Sequence, residues 1–116
     1  IFGFIFVSVS SEYALAQGKA KVFNGRVVSL HSIVTGGDGI VTKDEAEKLA
    51  EKGNPIVLME GKGKKAKIYF VYMPDGSYYG KQLAKYANVE LLGVKGKLIN
   101  KFGLNIILQE SIETLK

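Results

Sequence analysis

The stretch that decides the fold is "LAKYANVELLGVKGKLINKFGLNIILQESIE", residues 83–113. It opens within a short helical segment, "GKQLAKYAN", in which Leu83, Tyr86 and Ala87 share one face. Two β-rich runs follow, "VELLGVKGKLI" and "LNIILQESIETL", and the turn residues "NKFG" at 100–103 separate them. The pattern predicts a helix that leads into a β-hairpin.

Three further strands are predicted upstream of this helix. The first is "KVFNGRVVSLHSIV", from Lys21, with Gly25 as a bulge or close-packing point. The second and third are "NPIVLMEG" and "KKAKIYFVYM", joined through the basic turn at residues 61–64. The residues "PDG" at 74–76 form a turn because Pro presets one backbone dihedral and Gly permits a positive one.

The segment "TGGDGIVTKDEAEKLA", residues 35–50, allows two interpretations. As a helix start it has Thr42 at the N-cap, Glu45 three residues later to complete a capping box, and Gly53 at the end. As a calcium loop it has Asp38 and Glu45 in suitable positions, but Val34 and Gly36 occupy the first and third ligand positions. Two side-chain ligands are therefore missing, so we expect a capped helix and no bound calcium.

The predicted order is strand, helix, strand, strand, helix, strand, strand, which is the connectivity of the OB-fold. Residues 81–113 resemble the C-terminal half of small secreted bacterial OB-fold proteins, in which a helix plugs the barrel. The resemblance is carried by the "VKGK" pattern, the turn and a last strand ending in "ESI". It implies a mainly β fold with two short helices: a five-stranded OB-fold-like Greek-key barrel with an extra helix between strands 1 and 2.

The N-terminal segment "IFGFIFVSVSSEYALAQGK" reads as a signal peptide over residues 1–16, cleaved before Gln17. The alternative is a buried N-terminal strand. The apolar run of about nine residues is shorter than the roughly 20 that span a bilayer, so no stable membrane span is expected. Residues 17–116 then form one OB-fold-like domain that works outside the cytoplasm, either periplasmic or secreted.

Composition limits the chemistry. The 116 residues include no Cys, which excludes disulfides and thiol nucleophiles, and the formal charge of +5 favours anionic partners. His31 is the only histidine, and it has no second histidine as a metal-binding partner. The acidic residues of the segment at 42–53 alternate with lysines, as on a solvated helix face. We expect no enzyme activity and no cofactor.

One surface has the character of a binding face. In the third strand, Tyr69 is predicted to point outward with the neighbouring lysines and Val71, while Ala66, Ile68, Phe70 and Tyr72 point inward. On the fourth strand the lysines point outward, and Leu92, Val94 and Leu98 point inward. The candidate ligand-binding residues are Lys62, Lys64, Lys65, Lys67, Tyr69, Tyr78, Tyr79, Lys95 and Lys97.

Three hypotheses for function follow. The first is a non-enzymatic exported OB-fold module that binds an unidentified ligand or joins a larger assembly through a protein partner. The second is a binder of single-stranded nucleic acid or an anionic polysaccharide through the Lys/Tyr face. The third, a haem or metal protein that uses His31, has the weakest support.

Overall fold

The computed structural model describes residues 19–116, so the predicted signal peptide lies outside the described residues. The fold is mainly β, as predicted, with five strands. The strands are β1 (Ala20–Ser29), β2 (Ile56–Glu60), β3 (Lys67–Tyr72), β4 (Leu92–Lys101) and β5 (Leu104–Thr114). Within residues 19–116 they form a closed ring in the order β1-β2-β3-β5-β4, in which only the β3–β5 pair is parallel.

Strand β1 belongs to two strand pairs, and Gly25 lies where it passes from one to the other. Residues 20–25 pair with β4, and residues 26–29 pair with β2. A Cβ atom at Gly25 would overlap the backbone of Met59, so the close approach of β1 and β2 requires glycine. The predicted close-packing role of this glycine is confirmed.

The prediction that β1 continues to Val34 is wrong. The strand ends at Ser29, whose side chain accepts a hydrogen bond from the backbone N–H of Ser32 at 3.2 Å. This cap starts a short helix, α1 (Leu30–Val34), so the described part of the chain has three α-helices where the sequence predicted two. The β-branched residues of this segment favoured a strand, but a local side-chain cap starts a helix instead.

The capped helix predicted after Thr42 is confirmed as α2 (Lys43–Glu51). The Thr42 side chain accepts from the N–H of Glu45 at 3.1 Å, and the Glu45 carboxylate accepts from the N–H of Thr42 at 3.3 Å. Both hydrogen bonds of a capping box are present. Ala46 and Ala50 are buried in the core, so the thin apolar face of α2 packs against the strand ring.

The helix between β3 and β4 is α3 (Gly80–Leu83), which continues as a 3₁₀ turn at Ala84–Tyr86. Leu83 and Ala87 have no exposed surface, and Tyr86 is half-buried against the same core. The predicted helical plug is therefore confirmed. None of the helices between residues 19 and 116 is long and apolar enough to cross a membrane.

The β4–β5 hairpin is the longest strand pair, and the register shifts between Lys95 and Gly96. Lys101 pairs with Leu104, so the turn consists of Phe102 and Gly103 alone, two residues where the sequence predicted four. Both have positive φ, 55° and 79°, which is type I′ turn geometry.

Candidate functional site

The predicted Lys/Tyr face is only partly assembled. Lys62, Lys64 and Lys65 are exposed in the β2–β3 connection, which contains a 3₁₀ turn at Gly63–Lys65, and Lys67 is exposed at the first position of β3. Lys65 therefore lies outside the strand in which the sequence placed it. We call residues 62–67, which carry these four exposed lysines up to the start of β3, the cationic loop.

The predicted outward orientation of Tyr69 is wrong. Its side chain is 4% exposed, its ring lies 5.2 Å from that of Phe23 between centroids, and its hydroxyl donates to a Glu60 carboxylate oxygen at 3.1 Å. Burial, with that hydrogen bond, raises the pKa of Tyr69. A ring inside the core has no face free for stacking, so Tyr69 cannot be a stacking platform.

The register of β3 explains the inverted orientation. Tyr69 pairs with Leu58, which is fully buried, so their side chains lie on the core side of the ring. Val71 is likewise buried, although the sequence predicted it outside. Ile68, Phe70 and Tyr72, predicted inside, are instead on the outer side and half-buried. Both sides of β3 are apolar, so hydrophobicity alone did not determine which side faced inward.

The outer side of the ring therefore carries a continuous apolar surface across four strands. Met59 pairs with Ile68, Phe70 with Ile106, and Ile106 in turn with Ile99, so these side chains adjoin one another. Among residues 19–116, these side chains are neither part of the hydrophobic core nor packed against it. We call this surface the outer apolar face; it consists of Met59, Ile68, Phe70, Tyr72, Ile99, Leu104, Ile106 and Leu108.

The alternation of residues in β5 already indicated this face, but the prediction that Phe70 points inward was inconsistent with it. In β5, the alternation places Ile107 and Gln109 inside, and Gln109 is buried with its amide donating to the sulfur of Met73 at 3.0 Å. The apolar Ile106 and Leu108 must then point outward. An apolar residue on each side of the same strand indicates a second buried or binding surface.

The lysines of β4 lie apart from the cationic loop. Lys95 is exposed and Lys97 is half-buried on the outer side, while Leu92 and Val94 are buried inside, as predicted. Leu98 packs against the core. Strand β4 pairs with β1 and β5, whereas the cationic loop joins β2 to β3, so the structure does not gather the predicted lysines into one groove.

Tyr78 and Tyr79 have structural contacts. The Tyr78 hydroxyl donates to the carbonyl of Ile56 at 2.7 Å and accepts from the N–H of Ile56 at 3.1 Å, and its ring lies 5.1 Å from that of Tyr72. Tyr79 is half-buried against the core. Burial raises the pKa of both phenols. Tyr78, 39% exposed, borders the outer apolar face through Tyr72.

A cleft of about 830 Å³ lies beside β1, and Met59 forms part of its lining. Its charged lining residues are Arg26, Asp38, Lys62 and Glu90, which give equal numbers of positive and negative groups. The Nε atom of Arg26 is buried and has no hydrogen-bond partner among the described residues. The balanced charge gives this cleft no preference for either sign of ligand, although an acceptor group would satisfy Arg26.

The residues considered for calcium have local partners. The Asp38 carboxylate accepts from the N–H of Ile40 at 3.0 Å, and Glu45 completes the helix cap. Within residues 19–116 no group of three or more His, Asp or Glu side chains is placed to hold a metal ion. His31 is exposed on α1, beside a shallow depression of about 390 Å³ that Glu45 also lines.

The chain matches no protein-family model, no curated protein and no solved structure. The candidate site is therefore assigned from the geometry of the described residues alone, and the outer apolar face spans four of the five strands.

Proposed function

We propose that the chain is a non-enzymatic exported module of the OB-fold type that binds its partner through the outer apolar face. The ring order, with a helix between β3 and β4 that buries Leu83, supports assignment to the OB-fold. The outer apolar face supports a binding role, because a contiguous apolar surface on one side of a small domain usually marks an interaction site. This surface is the observation that carries the proposal.

The titratable side chains with displaced pKa values support a non-enzymatic role. Hydrogen bonds from Ser77 lower the pKa of Asp75, and these bonds belong to a turn. The hydroxyls of Tyr69 and Tyr78, whose pKa values burial raises, are hydrogen-bonded within the fold. The Asp75 carboxyl and the hydroxyls of Tyr69 and Tyr78 thus serve structure, which supports a binding role over a catalytic one.

The charge around the face defines the chemistry of the partner. Residues 91–109 contain three lysines and no Asp or Glu, and the whole chain carries a formal charge of +5. A partner that is apolar at its centre and anionic around it would complement this surface. A second copy of the chain would instead bring like charges together.

The experiment compares the full chain with a variant carrying Phe70→Thr and Ile106→Thr. Threonine keeps the β-branched shape that suits a strand, so the fold is expected to remain. Wild type should enhance the fluorescence of anilinonaphthalene sulfonate, an apolar anionic dye, and the variant should lose most of this enhancement. Val34→Thr, at a 77% exposed position on α1, is the matched control. A folded double variant with undiminished dye fluorescence would refute the assignment of the face.

Binding of single-stranded nucleic acid or an anionic polysaccharide is the second candidate, favoured by the four exposed lysines of the cationic loop. Without Tyr69 it lacks the stacking ring that the sequence had assigned. A labelled oligonucleotide titrated at two salt concentrations tests it, because phosphate neutralisation must weaken steeply as salt rises. Absence of binding at low salt would eliminate this candidate.

A further inference from the structure

The apex of the β4–β5 hairpin carries an aromatic residue in an unfavourable position. Phe102 has a φ of 55° and is 96% exposed. The first position of a type I′ turn favours Asn, Asp or Gly, which tolerate positive φ. A phenylalanine there incurs backbone strain, and in water its ring obtains no compensation from burial. Burial of the ring in a partner would provide that compensation.

The apex also projects from the ring of strands. Within residues 19–116, β1 pairs with β4 only as far as Lys97, and β3 pairs with β5 from Ile106 onward. Between these points and the turn, no other strand in the described part of the chain pairs with the two hairpin strands. Phe102 therefore occupies the end of a narrow two-stranded projection, a shape suited to insertion into a surface.

The outer side of the projection carries both apolar and cationic side chains. Ile99 and Leu104, which is 49% exposed, belong to the outer apolar face and extend it toward the apex. Lys97 and Lys101 lie on that side as well, opposite Leu108 and Leu104 respectively. Aromatic and aliphatic side chains flanked by lysines are typical of protein surfaces that bind at the headgroup level of a bilayer.

We propose that the hairpin inserts Phe102 into the interfacial region of an anionic lipid bilayer, with the lysines of β4 against the headgroups. This inference rests on the proposed function, since it names the partner of the outer apolar face. Each lysine near an anionic leaflet adds attraction that salt screens, and the ring adds apolar burial. The contact is reversible and peripheral.

The absence of tryptophan from the chain permits a probe at the apex itself. Phe102→Trp introduces a single tryptophan, whose emission should shift to shorter wavelength with vesicles of equimolar phosphatidylglycerol and phosphatidylcholine. Vesicles of phosphatidylcholine alone should produce a much smaller shift, and added salt should reverse it. Val34→Trp is the control on α1 and should not shift. The emission wavelength reports the environment of residue 102 alone, even if another segment of the chain also binds lipid.

A second variant separates lipid contact from folding. Phe102→Asn suits the turn, so the melting temperature should stay level or rise. Its partition onto the anionic vesicles should nevertheless fall about tenfold or more, because the buried ring is lost. An unshifted emission of the Phe102→Trp variant, or unchanged partition of Phe102→Asn, would overturn the lipid proposal. If the lipid proposal fails but the Phe70→Thr, Ile106→Thr variant still loses the dye fluorescence, the outer apolar face remains a binding surface and only its assignment to lipid is wrong.

Discussion

Replacement of Tyr78 by phenylalanine should destabilise the fold by removing one hydroxyl. That hydroxyl donates a hydrogen bond to the carbonyl of Ile56 at 2.7 Å and accepts one from its N–H at 3.1 Å. The pairing of β2 with β3 begins only at Leu58, so β3 does not pair with Ile56. Ile56 has no exposed surface, so water has little access to its N–H and carbonyl groups after the change. Leaving a buried backbone group unpaired costs about 1 to 3 kcal/mol, so we expect a loss of about 2 kcal/mol.

Urea unfolding followed by far-ultraviolet circular dichroism measures this loss. For a domain of this size, 2 kcal/mol corresponds to a fall in melting temperature of about 8 to 16 °C. Tyr72→Phe is the control, because the Tyr72 ring is the partner of Tyr78 but its hydroxyl has no hydrogen-bond partner among the described residues. A Tyr78→Phe stability within about 0.5 kcal/mol of wild type would refute the assigned role of the hydroxyl.

Four further changes test other parts of the structure. Burial raises the pKa of Tyr69 in the fold above its ordinary value of 10.0. The contribution of Tyr69 to the free energy of unfolding should therefore be fully present below pH 10 and be lost as the pH rises above it. Tyr69→Phe should make the urea midpoint depend less on pH in this range. Thr42→Ala removes the helix cap and should cost about 1 kcal/mol in the same assay. Gly96→Ala places a Cβ against the carbonyl oxygen of Leu108, and calorimetry should show a loss of about 3 kcal/mol, whereas a neutral result would contradict the close strand approach. Arg26→Met removes a buried Nε donor that has no partner within residues 19–116, so the free energy of unfolding of the variant should equal or exceed that of wild type.

The local elements were predictable because their signals are local. The capping box of Thr42 and Glu45 uses residues three apart, and the hairpin at 92–114 combines strand-forming runs with a glycine turn. The short helix with Leu83 on its apolar face follows from apolar spacing within one segment, and its role as a plug was implied by the resemblance to OB-fold proteins. The order of such elements along the chain was enough to indicate a five-stranded ring.

The sequence by itself thus determined the five strands, two of the three helices, their order and the positive charge, while the tertiary structure decided where β1 ends and which side of β3 faces inward. Tyr69 and Phe70 are both large and apolar, and the choice between them depends on pairing with Leu58 and Ile106, which lie distant in the chain. Strand register is set by such nonlocal pairs, and a shift of one residue exchanges the two sides. The proposed binding surface therefore follows from strand pairing, which leaves Phe70 on the outer side of the ring.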